Sequence, residues 1–183
     1  MRVIAGTARS LPLKAPTGEG TRPTTDRIKE TLFNMLQGYM NDCVFLDLFA
    51  GSGGIGIEAI SRGGRKSYFI ENSSEAINCI QENLKFTKFE EKAVVIKQDV
   101  LSGLSHIFEK EADVIFIDPP YGQDLEKQTL FKLAGMKYVT ENTLIVVEAQ
   151  SDTDFSYLGE VGFELVKEKK YKTNKHVFIQ REV

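Results

Sequence analysis

Apolar runs rich in Val, Ile and Phe alternate along the chain with segments of helical periodicity. This alternation is typical of a parallel sheet covered by helices, because strands that are buried on both faces are apolar throughout. The predicted strands are Val44–Leu48, Ser67–Ile70, Ala93–Lys97, Val114–Ile117 and Thr143–Val147. Helices are predicted between them at Ile55–Arg62, Glu75–Phe86, Leu101–Glu109 and Glu126–Leu133. The pattern therefore predicts a doubly wound α/β domain.

The two ends of the chain depart from this pattern. Glu164–Lys170 and Lys175–Gln180 are predicted to form an antiparallel hairpin at the edge of the sheet, which makes seven strands in all. Near the start, Arg2–Lys14 is predicted to form a short strand or hairpin. Either Thr24 or Thr25 can cap the helix that follows, whose apolar residues recur at helical spacing.

The length of 183 residues, with 42% hydrophobic and 27% charged residues, suits one globular domain. We divide it into an N-terminal extension, residues 1–40, and a main domain, residues 41–183. No run approaches the roughly 18 apolar residues of a membrane helix, so we expect a soluble cytoplasmic protein. The two cysteines lack the spacing of a metal or disulfide framework, so we expect no metal. We also expect a monomer.

Charge is distributed unevenly along the sequence, although the net charge is only −3. Residues 1–30 carry six basic and three acidic side chains, and residues 167–183 carry six basic and two acidic ones. The stretch between them is strongly acidic. Ordinary solvated surface explains this pattern, and so does an anionic polymer that is held by the two basic ends.

A glycine-rich turn between a strand and a helix is the strongest local signal. Leu46–Gly56 reads Leu-Asp-Leu-Phe-Ala-Gly-Ser-Gly-Gly-Ile-Gly, in which Gly51 and Gly53 allow a sharp turn and close approach to a ligand. Glu71 follows Gly51 by twenty residues, at the position where a carboxylate can hold ribose hydroxyls. The turn by itself fits NAD as well as S-adenosylmethionine.

Acidic residues after successive strands favour S-adenosylmethionine. Asp47, Glu71, Asp99 and Asp118 are all predicted near the carboxyl edge of the sheet, where such folds bind ligands. Negative charge repels the pyrophosphate of NAD and attracts a sulfonium and an ammonium.

Each cofactor residue has a predicted role. We expect Gly51 and Gly53 to lie under the methionine part of the cofactor, with Asp47 near its ammonium group. Glu71 would hold the ribose, and Asp99 would accept a hydrogen bond from the adenine amino group. Further expected contacts are Phe49, Asn72 and the backbone amide of Val100.

Asp118-Pro119-Pro120-Tyr121 follows the fourth predicted strand directly. Two prolines stiffen the backbone and leave rigid carbonyl acceptors beside the Asp118 carboxylate. Two such acceptors can orient a planar NH2 group and stabilise the charge that develops on it during methyl transfer, and Tyr121 can stack on a base. We expect all four residues to be catalytic. The histidines at 106 and 176 are expected at the surface or in local packing.

With these residues in view, the chain resembles the bacterial 16S ribosomal RNA guanine-N2 methyltransferases, often called RsmD. The similarity covers nearly the whole chain and is carried by Arg2–Gly6, Thr21–Asn34, Leu46–Gly56 and Asp118–Tyr121. It implies a class I, Rossmann-like S-adenosylmethionine-dependent methyltransferase that methylates guanine N2 in RNA of the small ribosomal subunit.

The segment Arg22-Pro23-Thr24-Thr25-Asp26 distinguishes this resemblance from other amino methyltransferases. Arg22 can pair with phosphate, and Thr24, Thr25 and the helix N-terminus after them can bind cofactor or backbone oxygens, although a capped helix also explains the threonines. We expect Arg22, Thr24, Thr25 and Tyr121 to bind the substrate. Three alternatives stay open: methylation of adenine N6 in DNA or RNA, methylation of a protein glutamine, and a noncatalytic RNA-binding assembly protein.

Overall fold

The structure is a computed structural model, and it describes residues 1–17 and 25–182. Seven strands form one sheet: β1 (Val44–Leu48), β2 (Lys66–Glu71), β3 (Ala93–Lys97), β4 (Val114–Ile117), β5 (Leu144–Gln150), β6 (Phe163–Lys170) and β7 (Asn174–Arg181). Their order across the sheet is β3-β2-β1-β4-β5-β7-β6. The first five are parallel, whereas β7 is antiparallel to both β5 and β6. The predicted doubly wound sheet with an antiparallel C-terminal hairpin is confirmed.

Helices cover both faces of this sheet: α1 (Asp26–Met35), α2 (Gly54–Ser61), α3 (Ser74–Thr87), α4 (Val100–Gly103) and α5 (Leu125–Ala134). Thr25 caps α1, because its hydroxyl accepts a hydrogen bond from the Ile28 amide at 3.3 Å. Of the two threonines predicted to cap this helix, Thr24 lies outside the described residues.

The predicted helix Leu101–Glu109 is wrong in extent. The α-helical part is only Val100–Gly103, and a single 3-10 turn, Leu104–His106, completes it. Gly103 packs so closely on the sheet that a Cβ there would lie 2.6 Å from Ile70. Ile107 then adopts an extended conformation and is buried in the core, which ends the helical segment before Glu109.

Apolar residues of the sheet alternate between two faces. Leu46, Ile115 and Ile145 belong to the core that is shared with α4 and α5. Phe45 and Phe116 point to the other face, where they pack with buried residues of α1 and α2. Side chains two residues apart on a strand share a face. Asp47, two residues after Phe45, is therefore on the α2 side of the sheet.

The N-terminal segment folds back on itself and packs against α2 and α3. Arg2 pairs with Pro12 in an isolated antiparallel bridge, and Val3 and Leu13 are buried against apolar residues of these two helices. This contact covers a helical face that would otherwise expose apolar side chains. In the described residues, no helix has the length and apolar character needed to cross a bilayer.

Candidate active site

The glycine-rich turn joins β1 to α2 through residues with left-handed backbone conformation. Phe49 has φ 61°, Gly51 has φ 55° and Gly53, the N-cap of α2, has φ 78°. A bulky residue such as Phe49 rarely adopts positive φ, and such strain is common at binding sites. The turn is held to the neighbouring strand by the Ala50 amide, which donates to the Ile70 carbonyl at 3.1 Å.

Two glycines, one in this turn and one at the start of α2, have different surroundings. A Cβ on Gly56 would lie 2.4 Å from the Phe69 ring, so this glycine permits close packing of α2 on the sheet. A Cβ on Gly51 would meet no atom within 4 Å. The helix start is therefore tightly packed on the sheet at Gly56, whereas the turn is open at Gly51, where a ligand can approach the backbone.

Glu71 lies at the end of β2 and fastens the glycine turn to that strand. One carboxylate oxygen accepts from the Gly51 amide at 2.9 Å, and the other accepts from Asn72 and Ser73 at 2.9 and 2.8 Å. Each carboxylate oxygen has two lone pairs, so acceptor capacity remains. Asn72 itself is exposed.

Asp47 is buried beneath the same turn, with 2% of its surface exposed. Its carboxylate accepts from the Gly56 amide at 2.8 Å, which ties it to the first turn of α2. Burial raises the pKa of Asp47 from 3.8 to about 8, and the charge of Glu71 adds to this rise. Burial thus disfavours the charged form of Asp47 unless a positive charge lies close to it.

Asp99 and Val100 form the beginning of α4. Asp99 is exposed, and its carboxylate caps the helix by accepting from the Ser102 amide at 3.0 Å. This hydrogen bond to Ser102 lowers the pKa of Asp99. Val100 is buried in the core. Because β3 and β2 are adjacent, Asp99 and Glu71 lie at the same edge of the sheet.

Asp118-Pro119-Pro120-Tyr121 leaves the carboxyl end of β4, next to the end of β1. The Asp118 amide donates to the Leu48 carbonyl at 3.5 Å, so the two chain segments leave the sheet side by side. Asp118 is partly buried, Pro119 is buried, and the side chain of Tyr121 is 47% exposed. The carboxylate and the glycine turn therefore border the same end of the sheet.

A row of polar residues crosses the sheet at the level of Asp118. Ile117 pairs with Val147, which places Asp118 next to Glu148, and Glu148 pairs with His176 of β7. Glu148 accepts hydrogen bonds from Asn174 at 2.7 Å and contacts the His176 ring at 3.1 Å. Glu148 and His176 are both buried.

The pKa of Asp118 is raised by burial and by acidic neighbours. Burial raises its pKa well above the ordinary value, and the charges of Glu148 and Asp47 raise it further. A carboxylate has about four acceptor sites, so the Asp118 side chain can accept from an NH2 group, and a nearby cationic ligand would favour its ionised form.

Of the predicted substrate residues at the N-terminus, only Thr25 belongs to the part of the chain that the structure describes. Thr25 lies at the start of α1 on the Glu148 side of the sheet, whereas Arg22 and Thr24 lie outside the described residues. In the described ranges 1–17 and 25–182, no three His, Cys, Asp or Glu side chains are placed to share a metal ion.

Comparison with known proteins relates the chain to one family. The family model "Conserved hypothetical protein 95" matches residues 1–180. Ribosomal RNA small subunit methyltransferase D of Haemophilus influenzae is 40% identical over 154 residues, which are 83% of this chain and 80% of the relative. The chain belongs to this family. The protein of the same name from Escherichia coli K12 is 35% identical over 82% of this chain and 75% of its own.

Solved structures agree with this family membership. The yhhF protein of Escherichia coli is 32% identical and superposes with a TM-score of 0.84, over 100% of this chain and 98% of that protein. More distant methyltransferases share the fold as well. The predicted class I methyltransferase fold and the predicted family are thereby confirmed.

The sequence interpretation of this family member missed Glu148. A charged residue in the apolar run of β5 was a signal, since a carboxylate is rarely buried without a partner. The partner, His176, is 28 residues away, and only the antiparallel pairing of β5 with β7 brings the two together. His176 is fully buried, whereas His106 is exposed.

Proposed function

We propose that this protein transfers a methyl group from S-adenosylmethionine to the N2 amino group of a guanine in small-subunit ribosomal RNA. The observation that carries the proposal is the placement of Asp118 on a rigid Pro-Pro turn beside the glycine loop, with Asp47 and Glu148 nearby. The names of the relatives support RNA of the small ribosomal subunit as substrate.

Electrostatics favours a cationic cofactor at this site. When bound, S-adenosylmethionine supplies an electrophilic methyl group on a positively charged sulfur. Burial is the main cause of the raised pKa values of Asp47 and Asp118, and neighbouring acids add to it, so a positive charge nearby would favour the ionised carboxylates whereas the pyrophosphate of NAD would disfavour them. Gly51 and Glu71 would hold the methionine and ribose parts, with Phe49 beside the loop and Asn72, Asp99 and Val100 toward the adenine.

Residues 118–121 would bind and orient the amino group of the base that accepts the methyl group. The Asp118 carboxylate and the Pro119 carbonyl would accept the two hydrogens of the base amino group, which orients its nitrogen lone pair. The same acceptors stabilise positive charge as it develops on that nitrogen. Tyr121, which is about half exposed, would stack on the base, and Pro120 would keep the turn stiff.

The test uses small ribosomal subunits and naked 16S RNA that both lack the modification. We expect tritiated methyl transfer to RNA by the wild-type protein, with N2-methylguanosine as the product found by mass spectrometry. Asp118→Ala should lose at least about a hundredfold in rate, because an oriented charge-stabilising group is removed. Calorimetry should show that this variant still binds S-adenosylmethionine.

Three outcomes would contradict the proposal. Recovery of N6-methyladenosine or methylglutamine would refute guanine as the acceptor. Equal activity of Asp118→Ala would refute the role of the carboxylate. RNA binding by the wild type without any methyl transfer would favour an assembly protein over an enzyme.

A further inference from the structure

A basic groove runs between the beginning of α1 and the tip of the β6–β7 hairpin. It has a volume of about 380 Å³. On one side α1 contributes Thr25, Arg27 and Thr31, and on the other side residues 169–172 contribute the sequence Lys-Lys-Tyr-Lys. Residues from the two ends of the chain, far apart in sequence, therefore line one groove, with Arg27 as the basic residue from the N-terminal part.

The groove carries four cationic side chains and no acidic residue among the described residues that line it. Arg27, Lys169, Lys170 and Lys172 are all exposed. Of these, Lys170 alone has a described carboxylate within 4 Å, that of Glu168 at 3.9 Å. The nearest acid in sequence to Arg27 is Asp26, which is paired with Arg2 at 2.8 Å. Among the described residues, most of the positive charge of the groove therefore has no acidic partner within 4 Å.

The groove is connected to the candidate active site by the row of polar residues that contains Asp118. The Tyr171 hydroxyl lies 3.3 Å from one nitrogen of His176, whose other nitrogen contacts Glu148 beside Asp118. Lys169 pairs with His176 across β6 and β7. Lys169 is therefore three strand spacings from Asp118, about 14 Å at the usual separation of strands.

We propose that this groove binds the sugar-phosphate backbone of the RNA substrate close to the nucleotide whose base enters the active site. The inference rests on the proposed function and adds the surface that holds the substrate. A distance of about 14 Å corresponds to roughly four nucleotides of a stacked strand, so one RNA segment can occupy both places. The positive end of α1 adds to the attraction for phosphate.

The shape of the surface favours nucleic acid over a membrane or an acidic protein face. Its cations lie on two facing walls of a concave groove rather than on one flat plane. A single strand of phosphates can lie between such walls, whereas a planar bilayer surface cannot enter them. Contacts from these lysines and Arg27 to phosphate would position the substrate without reading its sequence.

The test removes the positive charges of one groove wall and compares this variant with a control variant that loses the same number of charges elsewhere on the surface. The groove variant is Lys169→Gln, Lys170→Gln and Lys172→Gln together. The control replaces three exposed lysines near β3, at the opposite edge of the sheet: Lys85→Gln, Lys88→Gln and Lys92→Gln. Both variants change the net charge equally, and all six side chains are exposed, so folding should be preserved.

The readout is the affinity for unmodified 16S RNA, measured by fluorescence anisotropy between 50 and 200 mM KCl. Each lost phosphate contact lowers the slope of log affinity against log salt by about 0.7 for single strands or 0.9 for duplex. We expect the groove variant to lose about two to three units of slope, with a higher KM for RNA, the same kcat and the same affinity for S-adenosylmethionine. Arg27→Gln, on the other wall, should lose about one unit.

The outcomes separate this inference from the proposed function. An equal salt slope for the groove variant, the control and the wild type would overturn the groove while leaving methyl transfer intact. Binding of the wild type to vesicles of anionic lipid but not to RNA would also overturn it. Failure of the wild type to methylate any RNA would instead refute the proposed function.

Discussion

Glu58 of α2 is the point at which the N-terminal segment and α1 are fastened to the main sheet. Its carboxylate is fully buried and accepts hydrogen bonds from the amides of Ile4 at 2.8 Å and Ala5 at 3.0 Å. Arg62 donates to it at 2.8 Å, and the buried Lys29 ammonium lies 3.4 Å away. The Glu58 carboxylate therefore links the N-terminal segment, α1 and the end of α2.

Glu58→Ala is predicted to destabilise the protein strongly. The substitution leaves two amides without an acceptor and a buried ammonium without its counter-charge, and breaking a buried pair in this way costs about 3–5 kcal/mol. For a protein of this size each kcal/mol lowers Tm by about 2–4 °C, so we expect a fall of about 6–20 °C. Lys29→Met should cost less, because Arg62 and the two amides still satisfy Glu58.

Urea unfolding followed by circular dichroism measures this loss. Lys14→Ala is the control, because it breaks an ion pair with Glu82 that is exposed, and it should leave the midpoint close to that of the wild type. A loss below about 1 kcal/mol for Glu58→Ala would refute the reasoning, since it would mean that water or other side chains replace the carboxylate. Since α1 forms one wall of the basic groove, the variant should also bind RNA more weakly.

Three further predictions concern the cofactor loop. With a pKa of about 8 against 3.8 when unfolded, Asp47 keeps its proton in the folded protein, so stability should fall as pH rises through that window. In urea unfolding, Asp47→Asn should flatten this decline of stability with pH. We also expect Asp47 to release its proton when the wild type binds S-adenosylmethionine near pH 7, and calorimetry in two buffers should detect this release in the wild type but not in Asp47→Asn. Gly56→Ala should lower Tm, because its Cβ would lie 2.4 Å from Phe69, and an unchanged Tm would contradict the packing argument. Glu71→Ala should weaken cofactor binding in calorimetry, because it removes both the ribose acceptor and the hydrogen bond to Gly51; unchanged affinity would show that the assignment is wrong.

Features that depend on residues close in sequence were predictable. β1, β3 and β4 begin and end where the apolar runs indicate, because strands of a parallel sheet that helices cover are predominantly apolar. The glycine turn was recognisable for a similar reason, since the positive φ values of Gly51 and Gly53 are requirements of the local backbone. The helix Leu101–Glu109 was predicted too long because burial of Ile107, a tertiary effect, ends it early.

The candidate site was predictable only in part. Residues such as Asp118 and Glu71 follow strands, and the carboxyl ends of parallel strands meet at one edge, so their convergence could be inferred from order alone. Glu148 and His176 could not be paired in the same way. Their contact requires the register of an antiparallel pair, which the sequence of either strand leaves open.

By itself, the sequence determined the α/β class, the cofactor-type turn, the Asp-Pro-Pro-Tyr motif and the family, because each depends on short-range periodicity or on contiguous residues. The tertiary structure alone decided how charge is arranged around them. It buried Asp47, placed Glu148 beside Asp118, and brought Arg27 and Lys169 into the lining of one groove. Electrostatic interactions depend on distance and burial in space, and neither quantity can be read from separation along the chain.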